Sequence, residues 1–457
     1  MIYLIILLTT FLFYGPSLKY GFSQDDFFHI SIAQAHSFKE FLSFFNPFQQ
    51  HEWIFFRPIS TQLFYFIFDS LFGWTKAPIP MHFFMLVIHA LNGYLIYKLL
   101  KQFGLNHFKA LISSLIYTTS SLHFLSLYYV GATQQLLTTL FSLLAILAML
   151  NNKVILQLVF LAFALLSKEI AVRTLFIMFL VYLYKTKNIK KSLKNLLISL
   201  WVVVFYLGIR AIYHPNIPPT YKPEFNLSVV SSVRWYILFV FGVPEILLKY
   251  GVSKGGILLT KFVNDFWPIG LINIIFVTCL MMATLYEFIS HLKSKKYLMI
   301  SILSLWFLSG ILPVLFLPTH RYPHYLDLSL IPILLILFNR TNKKLSIIFT
   351  SLCFLVTAYT GIQLSIKTHW TTGRAQIVKA MQEIFAKNDV CSANSIVIKG
   401  KDGVPREVAY ALMFEHGPQV ICNNPHLGVY YEGLNLNQPI PTNAKVLYLT
   451  PDILNHD

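Results

Sequence analysis

Apolar residues in this chain come in long runs separated by short polar, mostly basic, breaks. Runs long enough to cross about 30 Å of hydrocarbon fall near 1–18, 80–98, 110–130, 132–150, 154–169, 170–184, 194–213, 267–289, 297–317, 325–339 and 345–366. The stretch 232–264 breaks the alternation, because its helix-like part from Arg234 to Tyr250 contains Pro244, Glu245 and Lys249. It reads as a re-entrant or interfacial element, or as a second weak crossing. The expected fold is an all-α polytopic membrane protein of about 11–13 transmembrane helices. Residues 19–79 form a long first loop that is itself apolar, with Phe55, Phe56, Leu63, Phe64, Phe66, Ile67, Phe68, Leu71 and Phe72. That composition predicts one or two helices lying on the membrane surface. From Thr368 the chain turns polar. Ile377, Met381, Ile384 and Phe385 recur at helical spacing, 395–399 and 445–449 read as strands, and a helix is expected near 407–414. Two units follow: a transmembrane module over 1–367 and a small α/β appendage over 368–457.

Hydrophobic residues make up 56% of the 457 positions and charged residues 12%, about half the charge of a soluble domain. A soluble globular protein is excluded. The formal charge of +17 would suit nucleic acid, but its placement argues for membrane topology instead. Lys98, Lys101 and Lys109 form one cluster, and Lys185, Lys187, Lys190, Lys191 and Lys194 a second. Lys293, Lys295 and Lys296 make the third, and Arg340, Lys343 and Lys344 the fourth. Short basic loops between spans stay on the cytoplasmic side. In a cytoplasmic membrane this puts the N-terminus on the cytoplasmic side and both loop 19–79 and the C-terminal domain on the exterior, with no nucleic-acid partner. Met1 to Leu18 lacks a basic leader and a small-x-small cleavage site, so it reads as the first span rather than a signal peptide. Cys279 and Cys353 lie in apolar runs as packing residues. Cys391 and Cys422 lie in the tail and can pair if the tail faces an oxidising compartment.

No acidic residue occurs between Asp69 and Glu169, so each carboxylate near a span needs a reason. Asp25-Asp26, just past the first span, suits a general base or a cation site, or simply a helix start. Lys168-Glu169 at the outer end of a span suits an anionic phosphate, or a self-satisfied pair. Arg57-Pro58 suits substrate or lipid headgroups. His89 and Asn92 share a helix face, where helix–helix bonding is as good an account as ligand contact. His320-Arg321 and His324 fall in another outer loop, and Pro323 argues against a helical metal pair. Together, Asp25, Asp26, Arg57, Lys168, Glu169, His320 and Arg321 emerge on one side. Carboxylates beside several cations suit transfer from a lipid-linked phosphate, the cations stabilising the departing anion.

The ordered set Gln24-Asp25-Asp26, Phe56-Arg57-Pro58-Ile59, His89-Ala90-Leu91-Asn92 and Leu166-Ser167-Lys168-Glu169 resembles the GT-C membrane glycosyltransferases. The nearest likeness is to the protein O-mannosyltransferase-like branch, which includes enzymes carrying tetratricopeptide repeats. His320-Arg321-Tyr322 is similar to a later Glu-Arg-Tyr-like loop of that branch. The resemblance covers residues 20–330. It implies an inverting transferase that uses a polyprenyl-phosphate sugar and a hydroxyl acceptor on protein or glycan. Asp25 would be the base and Asp26 its neighbour. Arg57, Lys168 and Arg321 would lie at the donor phosphate, with His89, Asn92, Glu169 and His320 in support. Branches resembling this fold differ in metal dependence, and a single acidic pair without a second cluster favours no cofactor or metal over a divalent ion. The chain departs from the pattern at Phe56, where Tyr is usual, and at His320, where an acid is usual. It also has no repeat array after the last span, which leaves acceptor choice unsupported. The competing class is a non-enzymatic transporter of lipid-linked sugars. Transporters place functional charges near the bilayer midplane in matched halves, whereas here they gather at one face.

Overall fold

The structure, a computed structural model, describes residues 1–48, 55–213, 221–252, 256–340, 344–401, 403–434 and 440–454. Lys343 of the fourth basic cluster, residues 49–54 of the first loop and residues 253–255 of the 232–264 stretch lie outside these. Among the described residues, seven helices are long and apolar enough to cross a membrane: Ile2–Lys19, Pro78–Gln102, Val130–Leu150, Ile189–Ile212, Ile269–Lys293, Tyr297–Leu315 and Lys344–Thr368. An eighth arises if His107–Thr119 and Ser121–Tyr128, bent by 40°, are one span. Helices of this length and composition, many with one face bare, are those of a multi-pass membrane protein.

The remaining apolar runs fold differently from a simple row of spans. Val154–Ser167 and Arg173–Thr186 are helices of 14 residues each and Leu330–Arg340 one of 11. At about 1.5 Å per residue they measure roughly 16–21 Å, short of a full hydrocarbon crossing. Polar residues set the breaks. Lys168 takes an extended backbone (φ −164°, ψ 135°) and ends the first of these helices, and a tight turn at Pro323–Leu326 precedes Asp327. Within 232–264, helix Ser228–Val240 stops at Gly242, whose φ is +93°. A Cβ there would meet the Thr357 side chain at 2.9 Å, so the chain turns where only glycine fits. A turn at Glu245–Tyr250 and a short helix, Leu259–Asp265, follow.

In the first loop, helix Phe38–Ser43 starts at Ser37, whose side chain accepts from the Glu40 amide. Ile59–Leu63 is a π-helical turn leading into helix Phe64–Phe72. Phe56, Phe64 and Tyr65 are buried while Ile67, Leu71 and Phe72 are bare, a one-sided helix of the kind that lies on a surface.

The tail begins with helix Trp370–Lys387, which buries Ile377, Met381 and Phe385. Three strands, β1 (Ser395–Gly400), β2 (Gly428–Tyr431) and β3 (Lys445–Leu449), make an all-parallel sheet in the order β2-β1-β3. Ile396 pairs with Val429 on one side and Lys445 on the other. β2 and helix His416–Ile421 were not expected from the sequence. Cys391 and Cys422 are joined as a disulfide. The tail is docked on the first loop: the Gln24 amide donates to the Ala411 carbonyl at 2.7 Å, and Ser31 Oγ meets His416 Nδ1 at 3.2 Å.

Candidate functional site

Arg173–Thr186, Ile189–Tyr213 and Tyr297–Leu315 each carry lysines at one end, namely Lys185 and Lys187, Lys190 and Lys191, and Lys295 and Lys296. Their other ends meet the start of Thr133–Leu150, the first loop and the tail around a cavity of about 570 Å³. Asp25, Arg57, Lys168, Glu169 and His320 all line it.

Asp25 is placed by its predecessor. Gln24 holds φ +53°, a conformation costly for a residue with a side chain. Its amide bond to Ala411 and the bond from Arg374 Nη1 to its Oε1 at 2.5 Å fix it there. The helix Asp25–Ile32 then starts with Asp25 half-buried against the cavity, its amide donating to the Tyr129 hydroxyl at 3.0 Å. Burial pushes the Asp25 carboxyl above its ordinary value. Hydrogen bonds from Tyr129 and Gln24, then the Arg57 and Arg374 charges, oppose that rise. The product is a carboxyl with raised proton affinity at the cavity wall, which suits a base.

Asp26 faces the other way. It is fully buried, accepting from Tyr65 Oη at 2.6 Å and from the Ser23 amide at 2.8 Å, and burial lifts its pKa to about 7. The two adjacent carboxylates therefore do not share one open site, and Asp26 is a buttress for the turn that presents Asp25.

Lys168, at the end of helix Val154–Ser167, and Arg57, before the turn Ile59–Leu63, both reach the cavity. The carbonyl of Ser167, left without a helical partner by the break at Lys168, accepts from Ser60 Oγ at 2.5 Å. That bond ties the π-helical turn after Arg57 to the end of the Lys168 helix. Glu169 does not pair with Lys168. It takes Arg57 in a two-point clasp, Nε–Oε2 at 2.7 Å and Nη2–Oε1 at 2.5 Å, with Arg210 Nη1 at 3.9 Å on its flank. Arg57 also donates to Gln134 and lies 4.0 Å over the Phe55 ring. Two of its five N–H donors remain beyond those three bonds.

Lys168 Nζ instead donates to Gln135 Oε1 at 3.1 Å and lies 5.1 Å from the Tyr325 ring centre. Gln135 Nε2 in turn donates to Asp327 Oδ2 at 2.8 Å, and Thr139 donates to the same oxygen. Asp327 is paired with Arg173, whose other nitrogen donates to the carbonyls of Gly310 (2.7 Å) and Tyr325 (2.6 Å). A sealed ion pair thus orients the cavity lysine through one amide.

Besides Asp26, three expected site residues lie off this cavity. His89 Nε2 donates to the Thr118 carbonyl at 3.0 Å and Asn92 Nδ2 to the Leu136 carbonyl at 3.1 Å. Both are fully buried and tie their helix to its neighbours, so the helix–helix account holds. Arg321 donates through Nε to Ser232 Oγ at 3.0 Å and faces a second cavity rather than the Lys168 cavity. The residues missed are Tyr129, Gln134, Arg210, Tyr221 and Tyr325 on the wall, with Gln135, Arg173 and Asp327 behind it.

On the described wall, Arg57, Lys168 and Arg210 oppose Asp25 and Glu169, an excess of positive charge suited to an anion with one carboxylate facing it. Among the described residues, no three His, Cys, Asp or Glu side chains come together as a metal-binding group. No family model, curated protein or solved structure matches the chain.

Proposed function

We propose that the chain is a GT-C-like membrane glycosyltransferase that moves a sugar from a polyprenyl-phosphate donor to an acceptor hydroxyl. The observation that carries this reading is the convergence of Asp25, Arg57 and Lys168 on one cavity. The sugar–phosphate linkage of the donor lies against Lys168 and the Arg57–Arg210 pair. The acceptor hydroxyl approaches from the Asp25 side. Its oxygen forms the new bond to the anomeric carbon as the bond from that carbon to the phosphate oxygen breaks, with inversion. The hydroxyl proton passes to Asp25, and polyprenyl phosphate leaves with its new charge facing the cations. Positioned electrostatics of this kind supply much of an enzyme's rate.

The membrane placement follows the same logic. The lysine-bearing helix ends point away from the cavity, so basic retention on the cytoplasmic side makes the cavity exterior. The Cys391–Cys422 disulfide suits a tail in an oxidising compartment.

The test is purified protein in lipid nanodiscs with a panel of polyprenyl-phosphate sugars and simple hydroxyl acceptors. Release of polyprenyl phosphate by wild-type protein is expected. Donor movement between leaflets of proteoliposomes, with no release under any acceptor, favours the transporter instead.

A further inference from the structure

Beside the catalytic cavity lies a second one of about 630 Å³ whose wall combines two arginines, a carboxylate and aromatic rings. Arg234 and Arg321 both line it, and the Arg234 guanidinium bears on the charge of Arg321. Burial is the first influence working against the charge of Arg321. Tyr236 and, less, Glu224 offset part of it, and the Arg234 guanidinium adds to it. Two guanidiniums lining one cavity favour an anion there, and the guanidinium fork matches a carboxylate or a phosphate. Trp235 packs beneath Arg234, whose Cζ lies 5.3 Å from a ring centre. Trp370 and Tyr322 line both this cavity and the one holding Asp25. They form the partition, and Trp370 lies 5.4 Å from the Tyr129 ring that contacts the Asp25 amide. Glu245, on the same wall, is bonded to His369 Nε2 at 3.2 Å. It adds an acceptor for hydroxyl groups.

Flat rings, a carboxylate for hydroxyls and paired guanidiniums are complementary to a sugar that carries acid. An anionic lipid headgroup would use the arginines but has no call on the aromatic partition or on Glu245. We infer that this cavity binds an anionic saccharide, bearing a carboxylate or a phosphate, and presents its hydroxyl past Tyr322 and Trp370 to Asp25 as the transfer acceptor. The inference rests on the proposed glycosyl transfer for the acceptor role, and on the cavity alone for binding.

Binding is therefore measured first without donor, on full-length protein in nanodiscs of neutral lipid. The probes are an oligoglucuronate, a phosphorylated glucose oligomer and the neutral glucose oligomer. At least a tenfold preference for the acidic oligomers is expected, and the two acidic probes tell carboxylate from phosphate. The Arg234→Gln/Arg321→Gln double variant should lose that preference, while Arg234→Lys/Arg321→Lys, which keeps the charge, should recover part of it and control for folding. Equal binding of acidic and neutral oligomers, or an undiminished preference in the Gln double variant, overturns the proposal. So does occupancy that appears only when anionic phospholipid replaces neutral lipid. Polyprenyl phosphate release is scored separately. If wild-type protein binds acidic oligomers through the two arginines but releases none, the transfer reading and the acceptor role fail, and the binding site stands.

Discussion

Two guanidinium–carboxylate pairs at the same end of the helical bundle differ mainly in their access to solvent. Arg57 and Glu169 keep 11% and 22% of their side-chain surface, whereas Arg173 and Asp327 keep 0% and 2%. The sealed pair has every partner inside the protein: two carbonyls for the arginine, a glutamine and a threonine for the aspartate. Such a pair contributes little net stability over an apolar replacement, but removing one member leaves a buried charge unanswered. The open pair borders a cavity and has a second guanidinium, Arg210, nearby. An incoming phosphate can take contacts from Glu169 without leaving it unpaired. The same chemistry is sealed in one place and, in the proposed reading, open to exchange in the other. Gln135 joins the sealed pair to the site.

Breaking the sealed pair should have the largest effect. Asp327→Leu should cost about 3–5 kcal/mol, seen as loss of monodisperse protein or a sharply lowered melting temperature. Adding Arg173→Met should restore much of it. A single variant as stable as wild type would remove the distinction between the two pairs.

At the open site, Asp25→Asn should lower turnover by a factor of about 10² to 10⁴, with donor affinity and melting temperature nearly unchanged. Turnover within a few-fold of wild type would take the base assignment away. Lys168→Ala should then remove about 2–4 kcal/mol of transition-state stabilisation. Gln135→Leu, which keeps the lysine but cuts its tie to Asp327, should cost less, about 0.5–1.5 kcal/mol. Equal losses in the two variants would mean that Lys168 acts only as a structural contact.

The aspartates give the finer contrast, through pH. Asp26 has its pKa raised to about 7 from about 3.9 in an unfolded chain. Its contribution to stability is therefore full below the unfolded value and is lost as pH rises through about 7. Unfolding followed over that range should show the decline, and Asp26→Asn should flatten it. For Asp25 the acid limb of the rate profile should lie above the ordinary carboxylate range. Arg374→Gln, by removing a positive charge that opposes the rise, should move that limb to higher pH. This is the smallest effect of the set, and a limb that stays put or moves to lower pH would uncouple the tail from the site.

Of the charged residues on the described wall, Arg210 was missed, whereas Asp25, Arg57, Lys168 and Glu169 were legible in the sequence, because they stand out against apolar surroundings where charge is expensive. Their partners were not. The adjacency of Lys168 and Glu169 suggested one pair, but the extended backbone at Lys168 separates them and turns Glu169 toward Arg57, 112 residues away. Arg173 and Asp327 each sit in an apolar run, and opposite charges in two such runs are a legible signal of a buried pair. Gln134 and Gln135 carry no charge and nothing in local spacing marks them. In the fold, run length set the positions of the long helices. It did not reveal that Lys168 and Pro323 cut three of the runs short, since hydropathy is blind to backbone breaks.

The bond between Arg374 and Gln24 spans 350 positions of sequence. On a ribosome adding about 5–20 residues per second, the two partners are made roughly 20–70 s apart. During that interval the first loop carries Asp25 but lacks the helix that fixes its turn, although Arg57 and Lys168 have already been synthesised. In the proposed reading, the cations of the cavity are therefore made before the turn that presents the base is fully held. The turn before Asp25 gains this hydrogen bond only once Arg374 has been added.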